Sequence, residues 1–395
     1  MLLARKGWLA GLLCTAVLTG CASSDSEEEV IKPLPELTNP ISAKVLWQER
    51  VGDGIGEYFS SLSPAVKYDK LFVAERFGMV TAFNQSSGEE LWSSNLRRVF
   101  AEGTLKKNNG ARLAGGVAVG FDKVFVGSEN GVLFALSADD GTVQWQADTA
   151  GEVLSDPTIV GTMVLVNTGA GKVQAFDVES GDFQWQMDMT MPSLVLRGTS
   201  GIAQSQGAAF FGTPDGKVSA LFGESGAPIW EARIAEATGS SELERVVDVD
   251  AKPVIVGSNL YAVAFNGSLA SIELRSGRVT WNRKYSSYSP IAIQGFTLFL
   301  SDADGSIYAI DRRNGLEKWA NTDLQGRKLT APQVVGNYVV AGDYEGYLHI
   351  FNRADGSLVG RTAIDSSGLY SQPLKDGDTL YLQTRDGRVA AVTIP

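Results

Sequence analysis

Residues 171–185 read Gly-Lys-Val-Gln-Ala-Phe-Asp-Val-Glu-Ser-Gly-Asp-Phe-Gln-Trp. Gly171 is followed ten residues later by Gly181, and four residues further on by Trp185. The same spacing starts at Gly78, Gly131, Gly216, Gly267, Gly305 and Gly346, with second glycines at Gly88, Gly141, Gly226, Gly277, Gly315 and Gly356. Trp92, Trp145, Trp230, Trp281 and Trp319 complete five of these copies, and Gly360 stands in the Trp position of the last. Between the glycines apolar residues alternate, as at Val173 and Ala175 or in Gly-Ser-Ile-Tyr-Ala-Ile at 305–310. A period of two puts alternate side chains on one face of a strand, so each copy reads as strands rather than helices. The preceding apolar runs join through Glu-Asn-Gly at 129–131 or Asp-Ala-Asp-Gly at 302–305, which are hairpin turns. Another run opens near Pro64, Pro157, Pro290, Pro332 and Pro373, where proline can begin a strand without removing a ladder bond. With the Trp-bearing run, each copy holds four antiparallel strands.

Successive anchor glycines lie 53, 40, 45, 51, 38 and 41 residues apart, and a further 41 residues lead to Gly387. Such a period is that of four-stranded propeller blades. Gly387 opens an eighth copy, Gly-Arg-Val-Ala-Ala-Val, that reaches Pro395 before any Trp strand. The pattern of that strand occurs instead at Lys44-Val-Leu-Trp47-Gln. The expected fold is therefore all-β: an eight-bladed β-propeller of four-stranded antiparallel blades over residues 41–395, its ring closed by the N-terminal strand. Closure removes the sheet edge at the seam, and packing from blade to blade lets one domain outgrow a single ordinary core.

The chain has 395 residues, 44% hydrophobic and 20% charged, with a formal charge of −11. A chain this acidic lacks the basic footprint of a nucleic-acid binder. The first twenty residues stand apart from the repeat. Arg5 and Lys6 precede an apolar run from Gly7 to Val17, too short for a comfortable permanent span, ending in Leu18-Thr19-Gly20-Cys21. That order resembles the bacterial lipobox, in which the cysteine becomes the lipid-modified first residue. Residues 1–20 then read as a lipoprotein signal peptide on the general secretory route, without a twin-Arg. Its removal discards two basic residues and no acids, taking the balance from −11 to −13. It also discards Cys14 and leaves Cys21 as the lipidation site, so no disulfide is expected within the chain. Ala22 stands where lipoproteins kept in the inner membrane commonly carry Asp, which the lipoprotein resemblance takes to favour the outer membrane. Residues 21–40, polar, acidic and Pro-containing, read as the lipidated cysteine and a flexible tether.

A single histidine cannot supply the repeated Gly-His pairs of WD40 repeats, and the chain has no Trp-Asp dipeptide. The unit Asp-x-x-Ser-Gly-x-x-x-Trp, Asp177 to Trp185, instead resembles the repeat of pyrroloquinoline-quinone (PQQ) enzymes over nearly all of 41–395. That resemblance raises a PQQ- and Ca²⁺-dependent periplasmic dehydrogenase as one reading. Such an enzyme needs oxygen ligands converging on a hard cation and a catalytic carboxylate base. Asp302-x-Asp304-Gly305 mimics the start of a calcium loop but lacks its downstream Glu, and equivalent places hold the turns Glu129-Asn-Gly and Pro214-Asp-Gly. His349, in Tyr-Leu-His-Ile, reads as a structural strand residue, and Gly171-Lys172 and Gly216-Lys217 lack the rest of a phosphate loop. No catalytic, cofactor or metal site is expected, and no enzymatic activity. A glycan-binding propeller is a third reading.

In a regular scaffold function belongs where the spacing breaks. From Trp to the next anchor glycine the shortest full copies take 24–27 residues, against 39 after Trp92, 37 after Trp230 and 31 after Trp185. Residues 186–201 and 231–250 are neighbours by blade order. The first contains Ser193-Leu194-Val195-Leu196-Arg197 and the second ends Val247-Asp248-Val249-Asp250. Apolar residues rimmed by charge in a connecting loop suggest a protein-binding patch, while an innermost strand with inward leucines is the competing reading of 193–196. Lipobox, acidic tether and eight such blades together resemble the propeller lipoproteins of the outer-membrane β-barrel assembly machinery. The resemblance implies a non-enzymatic scaffold at the periplasmic face of the outer membrane. Its partner would be the periplasmic POTRA domains of BamA, and unfolded outer-membrane protein precursors would be its clients, reaching only outer blade edges for strand addition. It also implies partner-binding residues at Leu194, Leu196 and Arg197, with Asp248 and Asp250 as partner contacts or as loop-ordering groups. Gly360 is a departure bearing on the docking of one blade.

Overall fold

The computed structural model describes residues 31–97 and 111–395. These form thirty-two strands in eight four-stranded antiparallel sheets. Seven sheets take their strands in chain order, from β2–β5 (Ala65–Lys67, Lys70–Ala74, Met79–Asn84, Glu90–Asn95) to β26–β29 (Gln333–Val335, Tyr338–Gly342, Tyr347–Asn352, Leu358–Ala363). The eighth comprises β30 (Leu374–Asp376), β31 (Thr379–Gln383), β32 (Arg388–Thr393) and, from the other end of the chain, β1 (Lys44–Arg50). Lys44 pairs with Thr393 and Arg50 with Arg388, so the propeller closes as the repeat predicted. First strands of neighbouring blades approach one another around the axis, and the fourth strands lie outermost.

The Gly–Trp spacing has a direct physical meaning. Each Trp indole N–H donates to a main-chain carbonyl of the following blade: Trp47 to Gln85 (3.2 Å), Trp92 to Ala138 (3.1 Å), Trp145 to Val178 (3.2 Å) and Trp185 to Gly223 (3.1 Å). Trp230, Trp281 and Trp319 donate to Leu274, Arg312 and Arg353, each at 3.0 Å. The ring lies over the second glycine of the next copy; a Cβ on Gly181 would sit 2.6 Å from Trp145, and on Gly277 2.7 Å from Trp230. These glycines also have φ near +70°, a conformation open to glycine at little cost (Gly181 +75°, Gly277 +72°). Across the ladder each Trp faces a small residue: Ala82, Ala135, Ala175, Ala220, Ser271, Ala309 or, for Trp47, Ala391. The core is accordingly a set of apolar layers between neighbouring blades, such as Phe72, Val80, Leu113, Val124 and Phe134 between the first two.

The seventh blade departs from this rule. Gly360 faces Ile350 instead of an alanine, and the following blade, completed by β1 from the far end of the chain, has no turn glycine to receive a Trp. Residues 31–43 fill the place. Ile41 lies parallel to Gly360, its N–H donating to Val359 (2.9 Å) and its carbonyl accepting from Arg361 (3.2 Å). Lys32 N–H donates to Gln325 (3.0 Å), Arg361 Nη2 to the Pro35 carbonyl (2.7 Å), and Ala43 N–H to Thr362 Oγ1 (2.7 Å). Leu34 packs against the apolar layer of the sixth and seventh blades. The second half of the expected tether, residues 31–40, is thus a strap on the propeller. Its lack of periodicity read as flexibility, but an extended segment needs no period to cover a groove that a missing Trp leaves open. Residues 1–20, Cys21 and the rest of the 21–40 segment lie outside the described residues.

Candidate functional site

Antiparallel alternation places two kinds of segment at the same end of every blade: the turn between second and third strands, and the connection to the next blade. The broken spacings fall on that face. Part of the segment after Trp92, residues 98–110, lies outside the described residues. The other two are the connections 189–202, between β13 (Phe183–Asp188) and β14 (Ala203–Ser205), and 234–253, between β17 (Pro228–Arg233) and β18 (Val254–Val256). Segment 193–196 is not an inner strand; that place belongs to β14, and Leu194 stands 43% exposed.

The two connections are fastened together and to their blades. Ser193 Oγ donates to Glu242 Oε2 (2.7 Å) at the tips, and Leu196 N–H donates to the Asp248 carboxylate at the base. Asp248 N-terminal neighbours Val246 and Val247 and the following Val249 are buried. The Asp248 carbonyl accepts from Phe265 N–H (2.9 Å), and Asn167 Nδ2 holds the Ser200 carbonyl (3.0 Å). Gly198 gives Asp250 room: a Cβ there would lie 2.8 Å from Asp250 Oδ2. Asp248 is 1% exposed, and burial pushes its carboxyl up to about 6 against the opposing pull of the Leu196 N–H. Burial, with the Asp248 charge beside it, pushes Asp250 up to about 7. A carboxylate this enclosed, accepting from Leu196 N–H, orders the loop. The alternation that places Val247 and Val249 in the core hid this, because the sequence cannot show that Leu196 caps the site.

Arg197 remains exposed but has partners. Its Nη2 lies 3.1 Å from Glu129 Oε1 and 3.7 Å from Glu152 Oε1. Glu129, in the turn of the second blade with its side chain 5% exposed, also accepts from Nη1 and Nη2 of Arg76 from the first blade. The two arginines hold the Glu129 carboxyl below its usual range despite its burial. Arg76 in turn lies over the Tyr58 ring at 4.2 Å. Glu129 had read only as a turn residue; its partners are 53 and 68 positions away, and no local pattern marks them.

The other candidates resolve as structure. Asp302 accepts from the N–H groups of Asp304 (3.0 Å) and Ser306 (2.8 Å) and from Tyr308 (2.9 Å), which is an Asp-closed turn. His349 is buried beside Asp343 (2.9 Å), itself paired with buried Arg327 (2.7 Å). Among the described residues no three His, Cys, Asp or Glu side chains converge as a metal-ligand set.

The family profile described as outer membrane protein assembly factor BamB matches residues 37–105 and 76–321. An outer membrane protein assembly factor BamB of Shewanella oneidensis is 47% identical over 390 residues, covering 99% of both chains. The crystal structure of BamB from Moraxella catarrhalis superposes with a TM-score of 0.79 at 27% identity, covering 89% of this chain and 99% of that one. Quinohemoprotein alcohol dehydrogenase from Comamonas testosteroni shares the fold alone, with a TM-score of 0.68 at 13% identity over 89% of this chain and 76% of its own. With a profile spanning most of the propeller and a relative nearly half identical from end to end, the chain belongs to the BamB family of outer membrane protein assembly factors.

Proposed function

We propose that the connection face of the propeller binds the periplasmic POTRA domains of BamA. The protein is a component of the outer membrane protein assembly machinery and a scaffold, not an enzyme. Held to the membrane by lipid on Cys21, it orients the barrel subunit on the periplasmic side and helps deliver outer-membrane protein precursors. The observation that carries the reading is the fastened pair of connections. Two loops that could have been mobile are held by Ser193–Glu242 and Leu196–Asp248, and they present Leu194 and Arg197 to solvent. Preorganisation of this kind lowers the entropy lost on docking. Leu194 supplies apolar area, half-buried Leu196 supports it, and Arg197 offers charge-assisted donors aimed by Glu129. Asp248 and Asp250 act beneath that surface by keeping the loop in place.

The test is capture of the purified barrel subunit by wild type and by Arg197→Ala. A central arginine of this kind is worth about 2 kcal/mol or more, so a loss of roughly thirtyfold in affinity is expected. Undiminished binding by the variant counts against the assigned surface, and no binding by wild type counts against the function.

A further inference from the structure

The structure assigns a second apolar anchor to the same surface: we infer that Leu243, at the tip of the 234–253 connection, docks into an apolar pocket of the partner beside Leu194. The inference rests on the reading that this face binds the barrel subunit's periplasmic domains, and extends the contact to a residue no repeat or charge pattern singled out. Leu243 is 68% exposed, and Leu194 and Met191 are 43% and 39% exposed. Ser193 and Glu242, the chain neighbours of Leu194 and Leu243, are bonded to each other at 2.7 Å, so the leucines belong to one patch.

The turn that carries Leu243 is built rather than slack. Glu244 accepts from the N–H groups of Ser240 (2.6 Å) and Ser241 (3.2 Å), while Ser241 Oγ accepts from Glu244 N–H (3.2 Å), a reciprocal cap. Arg245 Nε donates to the Gly239 carbonyl (3.2 Å), and Gly239 takes a φ of +133° that favours glycine. Val246 N–H closes on the Leu243 carbonyl (3.3 Å), and the buried valines that follow pin the turn to the propeller. Such a turn fixes its leucine outward, where water solvates it poorly. The charges around it are engaged locally: Glu242 with Ser193 and Arg245, Glu244 in the cap, Arg245 with Gly239. A partner can therefore cover the leucines without stranding an unpaired charge, the arrangement in which apolar burial contributes most to binding. Continuity with the Leu194–Arg197 surface makes the occupant the same folded partner, not a second copy of the chain or a lipid surface.

The experiment measures affinity of the full-length, detergent-solubilised protein for the purified barrel subunit, with Leu243→Ser, Leu243→Met and Arg197→Ala compared in parallel. Leu243→Ser should weaken binding about tenfold or more at an unchanged melting temperature, and Leu243→Met should bind nearly as wild type. Wild-type affinity in Leu243→Ser alongside weakened Arg197→Ala overturns this inference and leaves the proposed function standing. Absence of wild-type binding overturns both. If Leu243→Ser instead abolishes self-association of the free protein or its binding to vesicles, with partner affinity intact, the occupant assigned here is wrong.

Discussion

Asp250 is the residue whose chemistry reports most directly on the clasp. Burial keeps its carboxyl neutral up to about 7 in the fold, against 3.8 when unperturbed. Below pH 3.8 the group is protonated in folded and unfolded chains alike and has no effect on stability. Between pH 3.8 and about 7 the unfolded chain gains from ionisation that the fold resists, so the native state is progressively disfavoured, and above about 7 the group ionises in the fold as well and the loss levels off. Asp250→Asn removes the ionisation. The melting temperature of the variant relative to wild type should therefore rise between pH 4 and pH 8, by roughly 3 °C. A difference that is flat with pH would mean the carboxyl is not desolvated. Arg197 makes the complementary point. A lone arginine in a loop was visible as a candidate, but its orientation comes from Glu129 and Arg76 in two other blades, and only folding brings these together.

Among elements, the outer strands show how one rule and its exception share a cause. A Trp in the fourth strand needs a small residue opposite it and a glycine turn on the next blade. β29 precedes a blade closed without that turn, has Gly360 in place of Trp, carries Ile350 opposite, and is covered by Ile41. Gly360→Trp, which restores the repeat consensus, should therefore destabilise. A Cβ at this position already meets the Ile41 carbonyl, and the indole would have to expel the strap or overpack Ile350. The expected cost is about 1–3 kcal/mol in denaturant unfolding, and a gain in stability would refute the strap's role. The anomaly at Gly360 was plain in the sequence. Its meaning was not, because the segment that answers it lies more than three hundred positions away and looks like a linker.

The whole molecule depends on closure. β1 supplies the outer strand of the eighth blade, and Trp47 packs between Phe83 of the first blade (6.1 Å) and Tyr381 of the eighth (6.0 Å). Deleting residues 31–50 removes strap, strand and Trp together and bares the edge of β32. The truncated protein should melt about 10 °C or more below wild type and self-associate on concentration, followed by calorimetry and light scattering. A truncated form that stays monomeric with an unchanged midpoint would show that the ring does not need its closing strand.

What the amino-acid sequence determined by itself is the number, size and kind of the blades and the strand that closes them. Those properties rest on contacts a few residues apart, repeated: alternation within strands, glycines at turns, and Trp at a constant distance from both. Even the place of the candidate site was legible, as breaks in that spacing. The tertiary structure alone decided which residues of the site stand exposed and which lie beneath and hold them. Asp248 lies beneath Leu196, Arg197 leans on Glu129, Ser193 bonds Glu242 next to the exposed Leu243, and residues 31–43 lie against the seventh blade. Each of these joins positions far apart in the chain, and burial and electrostatic partnership at such distances are properties of the closed ring, not of any segment within it.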